Sequence, residues 1–344
     1  MIDDNTRGKS RAIDNPLITN KKNFIGVVMN NELDDTALYE DVKEQENINK
    51  LVGVSLSGLL AMELPPREYL LEPWLPKSGL CMVYAKRGVG KTFFALEVAV
   101  TVAYGTSFLS FKAPKPAKVL YVDGEMPANV MKERLEEIIS RLNINKNEFD
   151  PIFITPDLQK GLMPNLGNVQ DHAMIEEYTD QADLIIFDNI STLSSYGKEN
   201  EAESWHPFQQ LALKLRKKGK SVLFIHHAGK QGTARGTSKR EDILDTVINL
   251  RHPSDYTPSK GACFELHFEK TRSMMGDNAT PILCHLTSKG WEHQYIDRND
   301  NAQRVIELYK SGLKQSEIVK ELDLSKGHVS KLLKAARNEG KLDN

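Results

Sequence analysis

From residue 79 to residue 227, short unbroken apolar runs alternate with longer segments of helical spacing. The apolar runs are GLCMVYA (79–85), KVLYVDG (118–124), PIFIT (151–155), ADLIIFD (182–188) and KSVLFIHH (220–227). Between them, FFALEVAVTVAYG (93–105), NVMKERLEEIISRL (129–142) and SWHPFQQLALKLRKKG (204–219) repeat apolar residues three and four apart. These segments end in glycine or polar breaks, as helices do. A strand that is apolar throughout is buried on both faces, so this alternation predicts an α/β fold with a central, mostly parallel sheet covered by helices. Three later runs, TVINLRH (246–252), CFELHFEKTR (263–272) and ILCHLTSKGWEHQYI (282–296), are expected as antiparallel strands extending that sheet.

The flanks differ in pattern. Residues 1–45 are rich in Asn, Asp, Glu and Lys and predict a flexible tail, with a weak acidic helix over 31–47. A lead-in strap over 46–76 carries apolar anchors and four prolines and opens the α/β domain, expected to run over 46–296. From 297 to 344 the pattern is helical only, predicting a small all-α domain.

Composition narrows the picture little. The 344 residues have an ordinary hydrophobic share and a net charge of −2, so no global basic excess marks a nucleic-acid partner, and any such contact must be a local patch. Cys81, Cys263 and Cys284 stand singly in apolar runs without metal-ligand spacing and are expected to be reduced core thiols. The polar N-terminus and the lack of a membrane-spanning run predict a cytoplasmic protein without a membrane partner.

The stretch AKRGVGKT (85–92) follows the first strand and precedes the first helix, which is the context of a phosphate-binding loop. Backbone N–H groups of Arg87, Gly88, Val89, Gly90, Lys91, Thr92 and Phe93 would converge on a nucleotide's phosphates at a helix N-terminus. Lys91 would supply a point charge and Thr92 a hydroxyl for Mg²⁺, which implies ATP and Mg²⁺ as ligands. The usual spacing asks for glycine at 85, and Ala85 is tolerable there if its φ is negative.

Hydrolysis asks for more carboxylates. Asp188 closes ADLIIFD, where it would hold Mg²⁺ together with Thr92. Glu125, just past KVLYVDG, is the expected base, with Asp123 the competing choice deeper in the strand. His227, at the tip of KSVLFIHH, is placed to sense the terminal phosphate, or else is a plain hydrogen-bond partner.

Together AKRGVGKT, VLYVDGEMP, ADLIIFDN, FIHHAGK with RGTSKREDILDTVINL, and FEKTR resemble the RecA-fold hexameric replicative helicases of the DnaB and plasmid RepA kind, over about 50–295. The resemblance implies a RecA-like P-loop NTPase core in a homo-hexameric ring that binds ATP between subunits. It implies that Lys270 and Arg272 reach the γ-phosphate of the next subunit, with Arg235 as a second candidate. It also implies that the loop around 229–240, with Lys230, Arg235, Lys239 and Arg240, meets single-stranded DNA in a central channel. Two departures are Ala85 and the lack of a separate N-terminal helical domain.

Residues 301–341 repeat apolar positions at helical spacing in three segments, with Gly312 closing the first and Ser325 an N-cap for the third. The pattern resembles a helix-turn-helix whose last helix offers Lys326, His328, Ser330 and Lys331 to DNA, or alternatively a protein dock. From 298 to 344 there are ten Lys/Arg against seven Asp/Glu, an excess of three in an otherwise slightly acidic chain. The function expected is an ATP-driven DNA motor, a replicative helicase of a plasmid or mobile element. The alternative is a RecA-fold DNA-binding ATPase of regulatory or recombination type that does not unwind.

Overall fold

The structure is a computed structural model describing residues 51–144, 149–194, 202–229, 242–272, 274–296, 298–322 and 324–342, with only the backbone at 202–204 and 298–300. The expected acidic helix over 31–47 and the loop cations Lys230, Arg235, Lys239 and Arg240 lie outside the described residues. The chain divides into a unit ending at Pro65 and a unit from Pro66 to Asn344. In the first, a short helix Leu56–Leu60 is capped by Ser55, whose Oγ accepts from Gly58 N at 3.1 Å. The boundary falls inside the expected 46–76 strap, whose later part carries the buried side chains Leu70, Leu71, Trp74 and Leu75 of the second unit.

That second unit is built on nine strands: β1 Leu80–Ala85, β2 Val119–Asp123, β3 Ile152–Ile154, β4 Leu184–Asp188, β5 Ser221–His227, β6 Thr246–Arg251, β7 Cys263–Thr271, β8 Ile282–Thr287 and β9 Gly290–Tyr295. They lie side by side in the order β9-β8-β7-β6-β1-β5-β4-β2-β3. The six strands from β6 to β3 are parallel to their neighbours, and β7 to β9 continue antiparallel. Parallel strands side by side need crossover connections, and helices α1 Lys91–Tyr104, α2 Ala128–Leu142 and α3 Ala202–Lys217 occur in them.

Alternate residues of each strand feed two separate apolar layers. Cys81, Val83 and Ala85 of β1 pack in one with α1, while Leu80, Met82 and Tyr84 pack in the other with Trp205 and Phe208 of α3. This explains the unbroken apolar runs in the sequence, since both faces are buried. It also explains α1, which is apolar nearly all round and buried from Phe94 to Ala103.

TVINLRH departs from its antiparallel expectation. It forms β6, parallel to β1 with Thr246 beside Cys81 and Leu250 beside Ala85. The chain leaves β5 at one edge of the sheet and re-enters at the other, beside Leu80, so the strand direction repeats. Composition alone does not reveal such a return. The antiparallel reading holds for the two runs that follow.

After β9 come α4 Arg298–Lys310, α5 Gln315–Glu321 and α6 Lys326–Asn338. They close around their own core of Val305, Ile306, Ile318, Val329, Leu333, Ala336 and Leu342. Ser325 Oγ accepts from His328 N at 3.1 Å, capping α6, and Gly312 with φ +94° ends the segment after α4.

Candidate nucleotide site

The C-terminal ends of the parallel strands form one edge of the sheet, where ligands of open α/β folds bind. There the β1–α1 loop, the turn after β2 and the tips of β4 and β5 enclose a cleft of about 520 Å³. Its lining includes Arg87, Gly88, Gly90, Lys91, Thr92 and Phe93 from the loop and helix start, with Glu125, Asp188, Asn189 and His227 from the strand ends.

The loop is shaped by its glycines. Gly88 has φ +81° and Gly90, the N-cap of α1, has φ +117°. Both are conformations that side chains resist. A Cβ on Gly90 would stand 3.3 Å from the ring of Phe264, so that position is closed by packing too. Ala85 is different. It is the last residue of β1, fully buried, without positive φ, and its carbonyl accepts from Ala228 N at 2.8 Å. Val89 points its side chain into the core, so only its backbone is available to a ligand. Lys91 is largely buried, and its Nζ donates to the Lys86 carbonyl at 3.2 Å. Burial pulls its ammonium below the usual value, opposed by the charges of Asp188 and Glu125.

Asp188 is buried at the tip of β4, where it accepts from Tyr121 Oη at 2.7 Å and from the Thr92 hydroxyl. Burial raises its carboxyl, while these two donors and Lys91 act against that rise. Thr92 and Asp188 therefore meet beside Lys91. A hard oxygen-seeking cation fits a hydroxyl next to a carboxylate when phosphate oxygens and water complete its shell, as Mg²⁺ requires. Among the described residues no cluster of three His, Cys, Asp or Glu forms a metal site independent of such phosphates.

The two acidic residues after β2 separate by environment. Asp123 is 1% exposed and turns inward, accepting from Glu125 N at 3.1 Å and Met126 N at 2.7 Å. Burial lifts its carboxyl to about 7 against those two hydrogen bonds. Glu125 faces the cleft, and its Oε2 accepts from Asn189 Nδ2 at 2.9 Å. Gly124 between them admits no side chain, because a Cβ would collide with Thr192. The β2 turn thus presses against the β4 turn, and that contact brings Glu125 to Asn189.

A family profile described as an AAA domain matches residues 44–233, a span holding every one of these cleft residues. The chain belongs to this AAA-domain family. Among solved structures it is similar to a KaiC-like protein, PH0186, from the hyperthermophilic archaeon Pyrococcus horikoshii OT3. The two are 14% identical with a TM-score of 0.47, over 65% of this chain and 93% of that one. The site of the AAA domain is thus that of a P-loop ATPase, and no helix among the described residues is long and apolar enough to cross a membrane.

Two cleft residues were missed in the sequence. Asn189 directly follows Asp188, and a polar residue past a buried strand tip was a readable signal. Arg134 lines the cleft from α2, with its guanidinium 4.1 Å above the centre of the Phe93 ring. Nothing in the helical pattern of 129–142 distinguishes it from the other charged residues there.

Other expected site residues lie elsewhere. Lys270 and Arg272 are at the opposite edge of the sheet, since Thr271 pairs with Thr246, which lies beside Cys81 near the start of β1. Along the strand direction, Arg272 lies level with Leu80, five steps or about 17 Å from the cleft end at Ala85, and Lys270 level with Met82, three steps or about 10 Å from it. Lys326, His328, Ser330 and Lys331 are exposed on α6, away from its buried Val329, Leu333 and Ala336.

Proposed function

We propose that this AAA domain hydrolyses ATP at the interface between copies of itself in a ring, and that the assembly is a DNA motor, a RepA-like replicative helicase of a plasmid or mobile element. The observation that carries the reading is the placement of Lys270 and Arg272. They sit at the sheet edge remote from their own cleft, with the Arg272 side chain 46% exposed. Cations there lie on the side of the sheet away from their own nucleotide and would serve a neighbouring subunit's, as arginine fingers supplied in trans do.

Within one cleft the roles follow from position. The loop N–H groups and Lys91 hold the phosphates, and Glu125, oriented by Asn189, takes the proton of the attacking water. Thr92 and Asp188 would hold Mg²⁺, which when bound neutralises phosphate charge. His227 lines the cleft, and we assign it the sensing of the terminal phosphate. Single-stranded DNA is assigned to the loop with Lys230, Arg235, Lys239 and Arg240, whose charges suit phosphate tracking.

A second reading, a DNA-binding regulatory ATPase that does not unwind, is favoured by one observation. The terminal three-helix unit has its own core and presents Lys326, His328, Ser330 and Lys331 together to solvent, as a helix-turn-helix would. The discriminating experiment is strand displacement on forked DNA with mass photometry of the same sample. ATP-dependent unwinding by a hexamer, lost in Lys91→Ala, is the result expected. Robust ATP turnover and duplex binding without unwinding would replace the first reading by the second.

A further inference from the structure

At the edge remote from the cleft, one buried carboxylate gathers several groups. Asp245 is 3% exposed. Its Oδ2 accepts from the backbone N of Leu80 at 2.9 Å and pairs with the Arg216 guanidinium, while its Oδ1 lies 3.7 Å from Nη1 of Arg272. The backbones interlock as well, with Asp245 N donating to the Leu80 carbonyl at 2.7 Å and Arg272 N donating to the Asp245 carbonyl at 2.9 Å. Arg272 also donates from Nη2 to the Asp242 carbonyl.

We propose that Asp245 is a positioning residue for ATP hydrolysis in the neighbouring subunit, fixing Arg272 at the remote sheet edge. The inference rests on the trans reading given above. An arginine side chain has several rotatable bonds, and a half-exposed one left alone spends little time in any single pose. Here both its backbone N–H and its guanidinium are held by residues 242–245, so the side chain is set before a neighbour arrives. Such preorganisation matters because a misplacement of about 1 Å costs on the order of 10²-fold in rate. The 3.7 Å contact is longer than a charge-assisted hydrogen bond, so Arg272 is steered while its donors stay available to a phosphate. Asp245 also holds Leu80, the first residue of the strand that ends in the phosphate loop, so one carboxylate touches both the outgoing cation and the incoming strand.

A purely structural role for Asp245 is the competing explanation, and subunit mixing separates the two. Asp245→Asn keeps an oxygen acceptor for Leu80 N but removes the charge facing Arg272. Alone, it is expected to lower kcat about 10²-fold with KM for ATP little changed, and to bind a fluorescent ADP analogue like the parent. Its own cleft would remain competent. Equimolar mixing with Lys91→Ala subunits, which are inactive but carry an intact Arg272, is therefore expected to restore turnover. The control mixes Lys91→Ala with Arg272→Ala. If the control recovers and the Asp245→Asn mixture does not, Asp245 acts within its own subunit and the inference is overturned while the trans reading stands. If the control itself stays inactive, the trans reading falls and this inference with it. Loss of ADP binding in Asp245→Asn would likewise overturn it, by showing collapse of the protomer's own cleft.

Discussion

Asn189 donates from Nδ2 to Oε2 of Glu125 at 2.9 Å, tying the tip of β4 to the turn after β2 on the floor of the nucleotide cleft. Glu125 is therefore aimed by a neutral donor. Glu125→Gln is expected to lower kcat by roughly 10²–10⁴-fold, the usual contribution of a general base, with ATP affinity within a few-fold. Asn189→Ala releases the carboxylate without removing it. A hydrogen bond to a charged group contributes about 1.5–3 kcal/mol, so a loss of about 10–100-fold in kcat is expected. Single-turnover ATP hydrolysis alongside nucleotide titration checks both. A normal rate in Glu125→Gln would move the base to another residue.

The loop residues differ in what they demand of the backbone. Ala85 ends a regular strand inside the core, so Ala85→Gly, which restores the usual motif, is expected to cost about 0.5–1 kcal/mol of stability and leave turnover intact. Gly90→Ala combines φ +117° with a Cβ placed 3.3 Å from Phe264 and is expected to abolish nucleotide binding. Gly88→Ala meets open space and pays only the conformational cost of φ +81°, about 1–2 kcal/mol, so it is expected to weaken binding less. Isothermal titration with ADP across the three variants gives the order.

Much of this was legible in the chain. The sheet's parallel half follows from apolar runs such as LIIFD, because two-sided burial leaves no polar alternation. The phosphate loop follows from GVGKT between a strand and a helix. What was not legible depends on distant pairing. TVINLRH reads as antiparallel because nothing in its seven residues tells which way the chain returns beside β1. Arg134 reads as one charge among many on an exposed helix, and its approach to Phe93 exists only after α2 packs on α1. Asp245, in the polar stretch before β6, gains its role solely from folding next to Leu80 and Arg272.

Asp123 sets a pH dependence of stability. Burial holds its folded carboxyl at about 7, above its unfolded value near 4. Between these values the folded protein keeps a proton that the unfolded chain releases, so this group's contribution falls as pH rises through that window and is level above it. The slope is at most about 1.4 kcal/mol per pH unit. Asp123→Asn keeps an acceptor for Glu125 N and Met126 N but cannot ionise. Thermal melts at pH 5 and pH 8 are expected to give a larger gain in Tm for Asp123→Asn over the parent at pH 8 than at pH 5. An equal difference at both values would place the titration elsewhere.

The exposed face of α6 carries the last prediction. Lys326, His328, Ser330 and Lys331 are all exposed along α6, while Val329, Leu333 and Ala336 face the three-helix core. If this face meets duplex DNA, each lysine lost removes about one phosphate contact. The dependence of log affinity on log salt should then flatten by about 0.9 per lysine, or close to two for Lys326→Ala with Lys331→Ala. Ser330→Ala and His328→Ala touch base edges or phosphates without a fixed charge and are expected to change sequence preference more than salt slope. Fluorescence anisotropy with duplex DNA over a salt series, using the full chain, reads both quantities. The pattern requires the unit to remain folded, and the Ser325 cap with the buried core residues is untouched by all four substitutions. An unchanged salt slope in the double lysine variant would mean that α6 docks a protein surface instead, because a contact made without phosphates releases no counterions.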